Sequence, residues 1–535
     1  MRKYLFVLLF SPCCSGLVAQ SPLIDTLADR YAQTITQEEL REHLQIIASD
    51  DMEGRETGTA GQKKAAAYIA GYFAGLDLPP VVGDTSYYQT YPIVQSEWRE
   101  PYVEVNGKRF IFLEDFFSFF HFADPIDTAF SQVIFAGYGI SSEKYDDYED
   151  INVTGQAIMV LSGEPQNKDG KYYVTNSTES SRFTKNLMAS LGTKRVLAGI
   201  EDAELVMVVD DQFKQHVNRY AMVARRPTLA LKDNKPSSCL IIISPKMARA
   251  LSGRYDLKKL QQRIDKRGRT TRFTKDVSLE VDLKQNIEQI TSENVLGYVE
   301  GSDLKNELVV VTAHYDHIGK QGEVVNNGAD DDGSGTVTVL EIAEAFTEAK
   351  KAGYGPRRSI LFMTVSGEEK GLFGSKYYTE HPEFPLNNTV ANLNIDMIGR
   401  IDSQHAQDSN YVYIIGSDRL STELHQINEQ VNKTYTQLDL DYRYNAENDP
   451  NRFYYRSDHY NFAKNNIPVI FYFNGTHADY HRPTDTIEKI SFGLLQKRAQ
   501  LVFHTTWQLA NQEQRITVDK GDRANGGGKT EAGNE

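Results

Sequence analysis

Unbroken apolar runs alternate with helical patterns through the second half of the chain. Residues 308–312 read Leu-Val-Val-Val-Thr, and comparable runs occupy 360–365, 390–395 and 467–473. Runs that are apolar on both faces predict parallel strands covered on both sides. Between the first two runs, Val337, Leu340, Ile342 and Ala343 predict a helix over 336–346. Strand, loop and helix in succession predict an α/β sandwich around a largely parallel sheet. Nearer the N-terminus, Thr36 and Glu39 form a capping box, and Leu40, Leu44 and Ile47 follow at helical spacing, so a helix is expected over 37–48. A loop rich in turn formers covers 51–61. A second helix follows it, carrying Ala65, Ala66, Ile69 and Phe73 and ending near Gly75. From 125 to 285 the texture changes to short β-rich runs at 132–136, 157–161, 205–209 and 240–243, which predicts an inserted module.

Composition narrows this picture. The 535 residues carry 58 Lys+Arg against 73 Asp+Glu, a net charge of −15. Such an acidic balance argues against nucleic acid or an anionic membrane surface as partner. Arg2 and Lys3 precede an apolar run over 4–10, and a cleavage site is expected after Ala19, so residues 1–19 read as a signal peptide. The run is too short for a membrane span. Export to a periplasmic or extracellular location follows. Lipid anchoring at Cys13 is the weaker reading, because Pro12 stands where a small residue is wanted. Loss of the leader leaves Cys239 alone and no internal disulfide. The expected organisation is a signal at 1–19, one domain split between 20–124 and 286–515, an insert at 125–285, and a disordered tail at 516–535.

Candidate metal ligands fall at the ends of the predicted strands. His314 and Asp316 follow the first run, and Asp330, Asp331 and Asp332 sit in a glycine-flanked loop just before a helix. Glu368 and Glu369 end the second run, Asp396 ends the third, and Tyr480 and His481 follow the last. In open α/β sheets ligands bind outside the carboxyl ends of the strands. Carboxylates converging there repel one another unless a cation neutralises them. Two imidazoles with several carboxylates suit zinc or a similar divalent ion, and the carboxylate count is enough for two ions bridged by one Asp.

These motifs resemble the co-catalytic zinc exopeptidases of metallopeptidase family twenty-eight, which includes bacterial leucyl aminopeptidases, aminopeptidase Y and the glutamate carboxypeptidases. The resemblance extends to the loop at 51–59 and to the segment 294–301. It implies a three-layer α/β/α zinc-exopeptidase fold with a mostly parallel central sheet, plus a β-rich insert of the protease-associated type. It also implies two divalent ions, most simply zinc. His314 and Asp396 would hold the first ion, Glu369 and His481 the second, and Asp331 would bridge them. Asp316 would orient His314. Glu368 would act as general base, and Tyr480 is a candidate donor to the oxyanion. His317 is expected not to be a ligand, because its spacing from His314 fits no strand face aimed at the ions. Asp330 and Asp332 are expected to cap backbone or support the ligands. Asp458 and His459 could shape a substrate pocket or be structural.

The leading expectation is an exported two-zinc aminopeptidase acting on peptides. A carboxypeptidase of the glutamate carboxypeptidase type would use the same ions, but its relatives usually add a long helical domain that is not expected after Trp507. A glutaminyl cyclase relative is disfavoured by Asp331 and the complete ligand set. A binding or receptor protein on a decayed scaffold should have lost Glu368 or Glu369. Side-chain preference and oligomeric state stay open.

Overall fold

Strand β1 (Leu304–His314) shows how the sheet is covered. Its Val309, Val311 and Ala313 face one core, and Leu308 and Val310 face another, as the period of two in a strand requires. The computed structural model describes residues 24–119, 126–231 and 238–520, so the expected signal peptide and the glycine-rich end of the tail lie outside the described residues. The first core is closed by helices α1 (Gln37–Ile47), α2 (Ala60–Gly75), α3 (Gly335–Lys351) and α6 (Phe492–Asn511), and the second by the short helices α4 (Phe373–Glu380) and α5 (His459–Ala463). The result is the expected α/β/α sandwich.

Strands β2 (Arg358–Val365) and β3 (Thr389–Ile395) flank β1 in parallel, and β5 (Val469–Phe473) lies parallel to β3. All four expected strands are present. The antiparallel strand β4 (Tyr411–Ile415) lies beside β5, and Val295 to Val299 pair antiparallel with β2. Neither β4 nor α6 was expected. Two of the five residues of β4 are tyrosines, and each is buried with its hydroxyl bonded to a polar partner: Tyr411 donates to Asn474 O and Tyr413 to Asp402 Oδ2.

The chain divides into two units: one interrupted after Tyr91 and resumed at Ser292, the other comprising Pro92–Thr291. Residues 92–124, expected with the split domain, instead belong to the second unit. Tyr102–Val105 pairs with Leu279 to Asp282 and buries Val103 and Val105, while Phe116 and Phe117 pair with Ile243 and Ile242. Strands this short carry too little periodicity to assign from sequence. The second unit holds an eight-stranded sheet whose middle strands Asp127–Ala136, Ala157–Leu161, Leu205–Val209 and Cys239–Ile243 run parallel. Helices Leu187–Ile200, Phe213–Arg225, Pro245–Ser252 and Leu257–Arg267 accompany them, and Cys239 is buried. The expected disorder from 516 begins too early, because Ile516 is buried and Thr517 N donates to Glu423. Among the described residues no helix is long and apolar enough to cross a membrane.

Candidate metal centre

The carboxyl ends of β1, β2, β3 and β5 point to one place. His314 is the last residue of β1, Asp396 directly follows β3, and Glu368 and Glu369 lie in the turn after β2. Asp331 comes from the turn Ala329–Ser334 that leads into α3, and His481 from the loop beyond β5. His314 Nε2 stands 3.4 Å from Asp331 Oδ1, 3.6 Å from Asp396 Oδ1 and 4.0 Å from Glu368 Oε2. His481 Nε2 stands 3.1 Å from Asp331 Oδ2 and 3.1 Å from Glu369 Oε2. The two oxygens of Asp331 thus face different imidazoles. Tyr480, with its ring stacked on His481 at 3.9 Å, lines a pocket shared with Asp331, Glu368 and Asp396 and floored by Phe453, Phe471 and Phe473.

Supporting groups hold these side chains from behind. Asp316 accepts bonds from Thr57 Oγ1 at 2.6 Å and from Glu368 N at 3.2 Å, which ties the two strand ends together. Its carboxylate is 3.8 Å from His314 Nδ1, whereas its own carbonyl oxygen is nearer that nitrogen, at 3.1 Å. The orienting role expected of the Asp316 side chain therefore falls to its main chain. The fully buried guanidinium of Arg55 donates to the carbonyls of Ile47, Tyr315, Asn327 and Gly328. The 51–59 loop was recognisable only by resemblance; its task is to clamp the turns that carry His314 and Asp331. Ser457 Oγ donates to Asp396 Oδ2 at 2.7 Å, another support that nothing in the sequence pattern marked.

Asp330 and Asp332 bond to backbone, as expected. Asp332 accepts from His314 N, Gly335 N and Met397 N, and Asp330 accepts from Gly399 N. His477 Nε2 is 3.2 Å from Asp330 Oδ2, and Asp485 Oδ2 accepts from both Asp330 N and Asp331 N. These contacts lock the His481 loop to the Asp331 turn. Asp458 accepts from Ser375 Oγ at 2.5 Å, and burial raises its carboxyl to about 7. His459 is buried against Phe471, and burial lowers its imidazole to about 3, so it stays neutral. His317 departs from expectation. Its ring is fully buried and directed at the ligand cluster, with Nδ1 3.0 Å from Glu369 Oε1.

The electrostatics fit a cation. Burial holds the Glu368 carboxyl well above its ordinary range, with His314 pulling the other way. Burial would push the His481 ring down, but Asp331 and Glu369 outweigh it and raise the ring to about 10. Protons therefore compete with a cation here. His314 Nε2, His317 Nδ1, Asp331 Oδ2 and Glu369 Oε1 are buried with no hydrogen-bond partner, which is costly unless another positive group satisfies them. Two groups of ligand atoms each converge within 4.8 Å: His314, Asp331 and Asp396, and His317, Asp331 and Glu369. Nitrogen and carboxylate donors in these numbers suit a divalent ion such as zinc.

Residues 294–506 match the model of peptidase family M28. That match spans His314, Asp331, Glu368, Glu369, Asp396 and His481, and the segment resembles a peptidase family M28 domain. Aminopeptidase YwaD of Bacillus subtilis is 27% identical over 233 residues, covering 42% of this chain and 46% of that protein. A probable leucine aminopeptidase of Trichophyton verrucosum is 30% identical over 210 residues, covering 38% and 54%. The chain spans about half the length of these curated relatives. Among solved structures, the aminopeptidase from Aneurinibacillus sp. strain AM-1 superposes with a TM-score of 0.52 over 91% of this chain and 97% of that one, at 16% identity, and so shares its fold.

Proposed function

We propose that this M28 chain is an exported aminopeptidase that removes N-terminal residues from peptides with the help of two divalent ions, most simply zinc. The observation that carries the reading is Asp331, whose two carboxylate oxygens face His314 on one side and His481 on the other. That is the arrangement of a bridging carboxylate. His314 and Asp396 would hold one ion, Glu369 and His481 the other. Bound there, such a pair lowers the pKa of a shared water and polarises the scissile carbonyl.

The chain's own groups do the rest. Glu368, farther from His314 than Asp331 or Asp396 is, keeps an oxygen free to accept the proton of the attacking water and hand it to the leaving amine. The Tyr480 hydroxyl, beside Glu368 in the same pocket, donates to the oxygen on which negative charge develops. Phe453, Phe471 and Phe473 give the substrate an apolar wall. Export rests on the leader pattern of residues 1–19. The unit Pro92–Thr291 interrupts the other unit in sequence, and the family resemblance alone supports reading it as an insert of the protease-associated type.

Product mapping tests the activity. A peptide with a free N-terminus should be shortened from that end, and its N-acetylated form should be untouched. Glu368→Gln should keep its metal and lose about 10²–10⁴-fold in turnover. Cleavage of the acetylated peptide from its C-terminus would overturn the aminopeptidase reading.

A further inference from the structure

We infer that His317 is a fourth protein ligand of the second ion, through Nδ1, so that this position is His317, Asp331, Glu369 and His481. The inference rests on the two-ion reading above and adds to it a residue that the motif comparison left out.

The geometry points to coordination rather than to a hydrogen bond. His317 Nδ1 lies 3.0 Å from Glu369 Oε1, within range of a hydrogen bond. Both atoms are nonetheless buried without a hydrogen-bond partner, because the ring N–H direction and the carboxylate oxygen do not line up. Two such atoms, close together but not aimed at each other, are placed like two ligands aimed at a common third point. Asp331 Oδ2 supplies a third direction, 3.8 Å from His317 Nδ1, and is likewise unpartnered. From the other side His481 Nε2 approaches the same Asp331 oxygen at 3.1 Å and the second oxygen of Glu369 at 3.1 Å. The His317 and His481 rings stand 5.8 Å apart at 70°, as two imidazoles converging on one ion would.

His317 is held in this pose by its main chain. His317 N donates to Arg55 O at 3.2 Å, and the adjoining Glu56 forms a bridge with His317. On the ring's far side, a Cβ on Gly328 would come within 2.6 Å of His317 Cδ2, and Gly328 has φ +54, so the position favours glycine on both counts. The ring is therefore packed as tightly as the accepted ligands.

The consequence is a division of labour. With His317 the second ion would have four protein ligands and the first, held by His314, Asp331 and Asp396, three, so the shared water and the substrate would be held mainly at the first. The second ion would anchor and the first would exchange ligands during turnover.

Crystals of the zinc-loaded full chain, with an anomalous map at the zinc edge, test this directly. A His317 Nδ1–zinc distance of about 2.0–2.1 Å is expected. A distance of 3 Å or more, with Glu369 between ring and ion, overturns the inference while leaving two ions and the peptidase reading in place; failure to find a second zinc overturns both. In solution, His317→Gln should weaken the second zinc by more than the roughly 10–100-fold typical of a group that only supports a ligand, and leave the first unchanged. A second-zinc affinity in that variant equal to that of the unmodified chain would also overturn the inference. Should the variant not fold, the crystal distance on the unmodified chain still decides.

Discussion

The two halves of the proposed metal centre are built from different parts of the fold. His314 and Asp396 stand at the ends of the neighbouring parallel strands β1 and β3, with side chains only 1% and 11% exposed. His314 pairs with Val365 of β2 and Asp396 N donates to Tyr472 O of β5, which fixes those strand ends. Glu369 and His481 sit on turns, and the His481 side chain is 37% exposed on a backbone at φ +56, a left-handed conformation that a non-glycine residue holds only when its surroundings impose it. The imposition comes from the clamps: His477 on Asp330, Asp485 on the amides of Asp330 and Asp331, and Arg400 on Asp479 at 2.8 Å. Strand ends can carry ligands with little help. A loop ligand needs a network of its own, and here that network is anchored to the same turn that supplies the bridge.

The comparison can be broken most severely at Asp331, which serves both halves. Asp331→Ala should abolish the binding of both ions and with it the activity, as read by metal analysis and turnover; retention of either ion at wild-type affinity would show that the halves do not share it. His481→Ala should have the next largest effect, removing or weakening the second ion while the first stays bound. Cobalt substitution would follow the two positions separately. Ser457→Ala touches only the first half, through Asp396. It should weaken the first ion by about 10-fold, toward the low end of the range for groups behind a ligand, and leave the second unaffected.

Much of this centre was legible in the sequence because chemistry and periodicity agreed. Each apolar run marked a buried parallel strand, and His314, Glu369 and Asp396 lay within a few residues of a strand's end, where α/β sheets bind ligands, while Asp331 and His481 lay on the loops that return to those ends. What escaped lay where periodicity stops. The spacing argument against His317 assumed that the strand face continues past His314, but β1 ends there, and the backbone at His317 bonds instead to Arg55. Arg55 and Thr57 act through carbonyls and a carboxylate far along the chain, at distances no local pattern encodes. Ser457 is a small polar residue indistinguishable in sequence from any loop serine. The unit boundary was misplaced for a related reason: strands of four residues, such as Tyr102–Val105, are recognisable only once their partners are known.

Zinc titration of the metal-free full chain tests the central claim most directly. The account predicts two ions per chain, with affinity that rises with pH below about 10, because the His481 ring must release its proton before it can bind. Each released proton should contribute about a tenfold gain per pH unit. Binding of a single ion, or uptake that does not change with pH, would contradict it.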